Sequence, residues 1–162
     1  MLPIARSMIE TSQRRRRTTS RWATATIVLL ITVLALGTTS AFAGLRGQML
    51  ALTNQSRRTH GTQALRMDHR VSHQVKQHSR KMARSEALFH TANVPRYLRG
   101  RNYNWWGENV GFSYQSDLGS LQRAFMNSPS HRQNVLNRAY DRVGIGVERH
   151  DDRIWVTLVF YG

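Results

Sequence analysis

Residues 143–161 read VGIGVERHDDRIWVTLVFY, and they constrain the class of fold more strongly than any other stretch. Apolar side chains alternate with small or polar ones over residues 143–147, which is the two-residue period of a strand with one buried face. Residues 150–152 favour a turn, and residues 154–161 are dense in the β-branched and aromatic side chains that strands prefer. The stretch therefore predicts an antiparallel β-hairpin.

Helical patterns precede this hairpin. From Val71 to Met82 the apolar positions recur with helical spacing and predict one stripe on a helix over residues 68–85, with Asp68 as its N-cap. His78 lies on that stripe, so we expect a core or boundary histidine rather than a metal ligand. Further helices are predicted over residues 45–59, 117–126 and 129–136, the last with Ser128 as its cap.

The middle of the domain, residues 88–116, is rich in Asn, Gly, Tyr and Trp. This composition predicts an ordered loop with one short strand around residues 109–110, and loops of this length usually carry function. Trp105 and Trp106 could stack on a sugar ring or lie at a membrane interface. Their position before Gly107 favours a third role, as buried anchors of the wall of a cleft. Helices packed on a small antiparallel sheet make an α+β layered domain.

The N-terminal segment has the pattern of an export signal. A cluster of five arginines precedes residues 23–37, which carry no charge. The sequence Ala-Phe-Ala at 41–43 fits a signal-peptidase site, so residues 1–43 are predicted to be a signal peptide and residues 44–162 the mature domain. An uncleaved anchor is the alternative, because the uncharged segment can span a bilayer. Either way the domain is expected to be secreted, or anchored to the outer face of the cytoplasmic membrane.

The lack of cysteine and the net charge limit the expected source of the protein and the kinds of partner that it binds. The chain has no cysteine, so an exported domain of this size must be stabilised by core packing, which is more typical of bacteria than of disulfide-rich animal and plant proteins. Residues 44–162 carry eighteen Lys and Arg against eight Asp and Glu, a formal charge of +10. Such a basic protein favours an anionic cell-envelope polymer or lipid headgroups as a partner, or else uses its charge for solubility. Nucleic acid is not expected, because the protein is exported and lacks a basic stripe interleaved with stacking aromatics.

Seven segments in order cover nearly the whole mature domain. They are 52–55 (LTNQ, followed by Arg57 and Gly61), 78–83 (HSRKMA), 88–91 (LFHT), 106–111 (WGENVG), 126–136 (MNSPSHRQNVL), 143–147 (VGIGV) and the closing strand 155–161. In order and spacing this set resembles the CAP superfamily, the SCP-domain fold of cysteine-rich secretory proteins, venom antigens and pathogenesis-related proteins, in its cysteine-free bacterial branch. The resemblance implies a three-layer α-β-α sandwich with a small antiparallel sheet and a surface cleft.

The resemblance also implies which residues line that cleft. Relatives bring two His and two acidic residues together, and in some members these hold a divalent metal; the matching residues here are His90, Glu108 and His131. The second acid is missing, because residues 125–128 read FMNS. Imidazole and carboxylate are zinc ligands, so His90 and His131 are candidates for binding zinc, and Glu108 is the candidate catalytic base. Alternatively the three form a hydrogen-bonded polar plug.

Two functions follow from these residues. The favoured one is a non-enzymatic binding protein that holds a small apolar ligand or an envelope component in its cleft, by analogy with the fold. The alternative is a metal-assisted hydrolase of cell-envelope or peptide substrates, in which Glu108 acts as general base. The missing acid makes the hydrolase the weaker hypothesis.

Overall fold

The predicted hairpin forms the centre of a four-stranded sheet in the computed structural model, which describes residues 44–162. The strands are β1 (Arg66–Met67), β2 (Trp106–Tyr114), β3 (Arg142–His150) and β4 (Arg153–Tyr161). They lie in the order β1-β3-β4-β2; β4 pairs antiparallel with both neighbours, and the two-residue β1 pairs parallel with β3. The predicted signal peptide or anchor, residues 1–43, lies outside the described residues.

The helices begin close to where the sequence predicts them. They are α1 (residues 44–59), α2 (His69–Ser85), a 3-10 helix (Val94–Leu98), α3 (Leu118–Asn127) and α4 (Pro129–Leu136). The predicted cap of α2 is confirmed, because Asp68 accepts a hydrogen bond from the Val71 N–H at 2.9 Å. Between residues 44 and 162, no helix has both the length and the apolar composition needed to cross a membrane.

Alternate side chains of β4 enter two different hydrophobic cores. Leu158 packs in a cluster with Met49 of α1 and Leu118 of α3, whereas the next residue, Val159, packs with Val71 of α2. Burial of each such side chain stabilises the fold by about 1.5–3 kcal/mol. The sheet is therefore covered on both faces, by α1, α3 and α4 on one side and by α2 on the other, which gives the expected α-β-α sandwich.

Two glycines of β3 allow α2 to lie directly against the sheet. A Cβ atom at Gly144 would come within 2.4 Å of the Val71 side chain, and one at Gly146 within 2.7 Å of the Val75 backbone. Atoms in packed interiors do not approach so closely, so any larger residue would push the helix away. The alternation of glycine with valine and isoleucine in VGIGV thus fits a close helix contact on one face and a core on the other.

Arg57 connects the end of α1 to the C-terminal half of the domain. The side chain is fully buried, and its guanidinium donates hydrogen bonds to the carbonyls of Gln63 at 2.6 Å, Val135 at 2.8 Å, Asn137 at 3.0 Å and Tyr140 at 2.9 Å. Burial lowers its pKa from the usual arginine value. Sequence reasoning places this residue in the last turn of α1 but does not reveal its burial.

The middle of the chain is more regular than predicted. The sequence indicates a short strand around residues 109–110, yet β2 is nine residues long and pairs with β4 along its whole length. The sequence pattern does not reveal the full length of β2, because two of its buried residues, Glu108 and Asn109, are polar. Each has hydrogen-bond partners in neighbouring elements, which is how a strand accommodates buried polar residues.

Candidate functional site

The buried carboxylate of Glu108 is the centre of the candidate site. It lies on β2, an edge strand of the sheet, and only 6% of the residue is exposed. Its Oε2 accepts hydrogen bonds from the Thr91 backbone N–H at 2.9 Å and from His90 Nδ1 at 2.8 Å. Its Oε1 is buried and has no hydrogen-bond partner among the described residues. Glu108 therefore fixes the loop that carries His90 and keeps one oxygen unpaired.

That loop is also held from α2. His78 is 3% exposed, as expected for a core histidine, and its Nε2 lies 2.7 Å from the Phe89 carbonyl oxygen. The Phe89 ring packs edge-to-face on the His78 ring with centroids 5.1 Å apart. These contacts place His90 at the surface, with 62% of its side chain exposed. Because Nδ1 is bound to Glu108, Nε2 is the ring nitrogen that His90 offers to solvent.

His131 approaches the site from α4. Its Nδ1 lies 2.9 Å from Ser128 Oγ, and its ring packs on the Phe125 ring with centroids 5.1 Å apart. Its backbone carbonyl accepts a hydrogen bond from the Asn109 side chain at 3.0 Å. Burial lowers the pKa of His131, and the nearby His90 lowers it further.

Asn134 fastens α4 to the edge strand. Its side-chain amide donates to the Glu108 carbonyl oxygen at 3.1 Å and to the Asn109 side-chain oxygen at 2.9 Å. Gly107 makes this approach possible, because a Cβ atom there would come within 2.4 Å of the Asn134 side-chain oxygen. Successive residues of a strand face opposite sides, so Glu108 holds the His90 loop from one face of β2 and Asn109 holds the His131 backbone from the other.

The structure brings His90 and Glu108 into direct contact and places His131 close enough to His90 for the two rings to interact electrostatically. Ligand atoms of the three side chains do not all lie within 4.8 Å of one another. Within residues 44–162, that spacing is met by Glu86, His150 and Asp151 at the hairpin turn. Arg153 already pairs with Glu86 there, at 2.8 Å.

An apolar groove runs beside the histidine cluster, between β2 and α3. A cavity of about 290 Å³ ends at Ser128 and His131, and a second of about 360 Å³ extends it toward Asp117. Gly111 lets α3 approach the strand, since a Cβ atom there would come within 2.7 Å of the Leu121 side chain. The side chains that form this apolar groove are Leu88, Val110, Phe112, Leu121, Ala124 and Phe125.

These elements match a known family. The model of the cysteine-rich secretory protein family, CAP, matches residues 50–160, which include both histidines, Glu108 and the apolar groove. The chain belongs to the CAP family. Its lack of cysteine agrees with the cysteine-free branch that the sequence indicates.

Bacterial CAP proteins are among its relatives. The uncharacterized membrane protein YlbC of Bacillus subtilis is 29% identical over 108 residues, which cover 63% of this chain and 31% of YlbC. An extracellular protein with an SCP domain from Bacillus anthracis has a TM-score of 0.61 and 26% identity over 74% of this chain and 40% of that one. An outer surface protein of Borrelia burgdorferi has a TM-score of 0.62 at 19% identity, over 73% and 92% of the two chains, and shows the fold alone. The chain thus spans about a third of the length of YlbC.

The donor set of this CAP domain fits a metal held by two imidazoles. In both His90 and His131 the Nδ1 atom is hydrogen-bonded within the protein, so each has Nε2 available as a zinc ligand. Glu108 orients His90, as a carboxylate does behind a metal-bound histidine. The missing second acid is replaced by an apolar contact, because Phe125 packs on His131. Two imidazoles make a weak site, because the Glu108 carboxylate is engaged by His90 and Thr91 through Oε2 and its Oε1 is buried.

One expectation about this CAP domain was wrong. Trp105 and Trp106 are not buried anchors, since they are 65% and 45% exposed. Trp105 pairs through its backbone with Gly162 at the end of the sheet. Ser128 occupies the N-cap position of α4 without a side-chain cap bond, because its hydroxyl binds His131 instead.

The sequence did not identify three further residues that hold the site together. The contacts of Thr91, Asn109 and Asn134 depend on which elements become neighbours, and the sequence does not show that. The pattern S-P-S-H holds one local signal, because Ser128 and His131 are three residues apart and can meet across the first turn of a helix.

Proposed function

We propose that this protein is an exported, non-enzymatic CAP domain whose apolar groove holds a small apolar ligand. The observation that supports this proposal is the composition of the groove, in which hydroxyl and imidazole groups from Ser128 and His131 stand at one end of an otherwise apolar wall. Ligand sites commonly combine such apolar walls with a few polar groups that fix orientation. Leu88, which is 48% exposed, adds to the apolar rim.

The state of Glu108 argues against catalysis. A general base must reach the proton that it removes, directly or through one water. Here Oε2 is engaged by His90 and Thr91, and Oε1 has no surface accessible to a substrate. The carboxylate is therefore placed to hold the loop rather than to act on a bound molecule.

Export of the domain rests on the predicted signal segment and on the relatives. The Bacillus anthracis relative is described as extracellular. A location outside the cytoplasm agrees with a domain that has no thiol to keep reduced. The ligand would then be a molecule found in the envelope or in the medium.

Binding of the neutral apolar fluorophore N-phenyl-1-naphthylamine tests the proposal. We expect saturable binding to the purified domain that Ala124→Arg abolishes, because Ala124 lines both cavities and a long charged side chain would fill the groove. Ala51→Arg is the matched control, since Ala51 is an equally small, exposed helix residue on α1. The proposal fails if the wild-type domain does not bind the probe or if both variants bind it equally.

The hydrolase alternative has one observation in its favour, which is the pair of imidazole Nε2 atoms left free by the fixed Nδ1 contacts. A zinc ion held there would act as a Lewis acid and activate water. Zinc titration by calorimetry, with hydrolysis assays on peptidoglycan and peptides, separates the two functions. We expect weak zinc binding that His90→Ala removes, and no hydrolysis that a chelator suppresses. Chelator-sensitive hydrolysis lost in His90→Ala and His131→Ala would establish the alternative instead.

A further inference from the structure

A second concave surface lies on the α2 side of the domain, away from the apolar groove. Three cavities of about 400, 180 and 220 Å³ adjoin one another because Arg96 lines all of them. The first lies beside the 3-10 helix, and the third reaches the loop of His90. We name this surface the cationic trough after the basic side chains along it, which are Lys81, Arg96, Arg99 and Arg101.

The cationic trough has an unbalanced charge. In the part of the chain that the structure describes, no Asp or Glu lines any of its three cavities. Lys81, Arg96 and Arg99 have no carboxylate of residues 44–162 within salt-bridge distance. Asp68 pairs with Arg101 of the trough, whereas Glu148 pairs with Arg80 outside it at 3.2 Å. Uncompensated cations in a concave surface concentrate their field on whatever enters it.

The trough is built from fixed parts. Arg101 is held by Asp68, which accepts from its Nε at 2.5 Å and from its Nη2 at 3.1 Å. Gly100 has a φ of +73°, a left-handed conformation that turns the chain so that Arg99 and Arg101 line the same cavity. The 3-10 helix that carries Arg96 is anchored through Leu98, which is fully buried. Binding here would therefore require little ordering of the backbone.

We propose that the cationic trough binds a linear polymer of phosphate groups, of the kind in which polyol units are joined by phosphodiesters. Guanidinium groups donate paired hydrogen bonds to phosphate oxygens, and the lysine adds a point charge. A chain can follow adjoining cavities, whereas the flat surface of a bilayer cannot enter them. The proposal concerns a different surface from the apolar groove and goes beyond the proposed function.

Single-stranded nucleic acid fits the trough less well. Proteins that bind it offer exposed aromatic rings on which bases stack. Of the aromatic rings that line the trough, Tyr97 and Tyr103 are partly buried against the core cluster that contains Val159, and Phe89, which is 41% exposed, packs edge-to-face with His78. Arg96 also covers the Tyr97 ring at 6.0 Å from its centroid. The trough thus offers more charge than surface on which bases could stack.

Binding of a purified glycerol-phosphate polymer to the full domain tests this proposal by calorimetry at two salt concentrations. We expect binding that weakens with salt, because the contacts are between charges. Arg96→Gln with Arg99→Gln should reduce the affinity about tenfold or more, as expected for loss of charge-assisted hydrogen bonds. The matched control is Arg58→Gln with Arg123→Gln, which removes the same charge from exposed positions on α1 and α3.

The comparison probes are polyglutamate, vesicles that contain phosphatidylglycerol, and a single-stranded oligonucleotide. The proposal is overturned if any of them binds as tightly as the glycerol-phosphate polymer, or if the control pair loses as much affinity as the trough pair. It is also overturned if no polymer binding is detected at low salt. Thermal unfolding of each variant, together with unchanged binding of N-phenyl-1-naphthylamine, shows that the fold and the apolar groove are intact.

Discussion

A single buried arginine holds together parts of the chain that are far apart in sequence. We predict that Arg57→Lys lowers the free energy of unfolding by at least about 3 kcal/mol, because an ammonium group cannot reach the four carbonyls that the guanidinium serves. Urea unfolding measures the change. Arg58→Lys is the control, since Arg58 is exposed and should change stability by less than about 0.5 kcal/mol. Equal midpoints for the two variants would contradict the role of Arg57.

Asp68 makes stability depend on pH in the acid range. Burial would raise its pKa, but hydrogen bonds from Arg101, Tyr161 and the Val71 N–H outweigh burial and lower the pKa to about 2. Because the folded-state pKa lies below the unfolded value of about 3.8, the stabilisation is complete above that value and is lost as the pH falls toward 2. We expect the free energy of unfolding to drop by up to about 2 kcal/mol over this window.

The matched variant for this prediction is Asp68→Asn, which keeps a side-chain oxygen for the N-cap and removes the charge. Its stability should change less between pH 4 and pH 2 than that of the wild type. The assignment of this pH dependence to Asp68 fails if the wild type and the variant lose stability in parallel between pH 4 and pH 2.

The two histidines of the site should be distinguishable in solution. Burial and the neighbouring His90 lower the pKa of His131, so its ring should titrate below the ordinary histidine value of 6.5. Proton NMR of the imidazole signals measures this. His90→Ala should raise the pKa of His131, because a positive neighbour is lost. A His131 signal that titrates at 6.5 or above in the wild type would contradict the described environment.

The contact between α2 and β3 depends on glycine. We predict that Gly146→Val destabilises the domain by about 2–3 kcal/mol, because its Cβ would meet the Val75 backbone, which cannot rotate away. Gly47→Ala is the control, since no atom lies within 4 Å of a Cβ there and alanine favours the helix. Thermal unfolding of both variants tests the prediction. A Gly146→Val protein as stable as Gly47→Ala would mean that α2 is free to shift.

Periodic elements were predictable, and elements held by long-range contacts were not. β3 and α2 show clear two-residue and helical periods, and β4 is dense in β-branched and aromatic residues, so their places in the sequence could be predicted. The length of β2 was underestimated because the hydrogen-bond partners of Glu108 and Asn109 come from distant segments. For the same reason, the sequence suggested the histidines and Glu108 only through family resemblance, while the hydrogen bond between Glu108 and His90 required the structure.

The location of the whole protein can be tested directly. The predicted signal segment leads us to expect that protein recovered from the medium of a bacterial host begins at Gly44. Intact-mass spectrometry of the secreted and membrane fractions measures this. A full-length chain found only in the membrane fraction, and resistant to extraction by high salt, would establish the uncleaved anchor instead.

The position of β4 in the middle of the sheet determines when the molecule can fold. Its neighbours β2 and β3 are both made before it, and neither has its central partner until residues 153–161 have left the ribosome. Arg57 likewise cannot form its hydrogen bonds until carbonyl groups about eighty residues further along the chain have been made. Residues 44–152 therefore remain without a complete sheet until β4 is made, which is the open state that the proposed export through a narrow secretion channel would require.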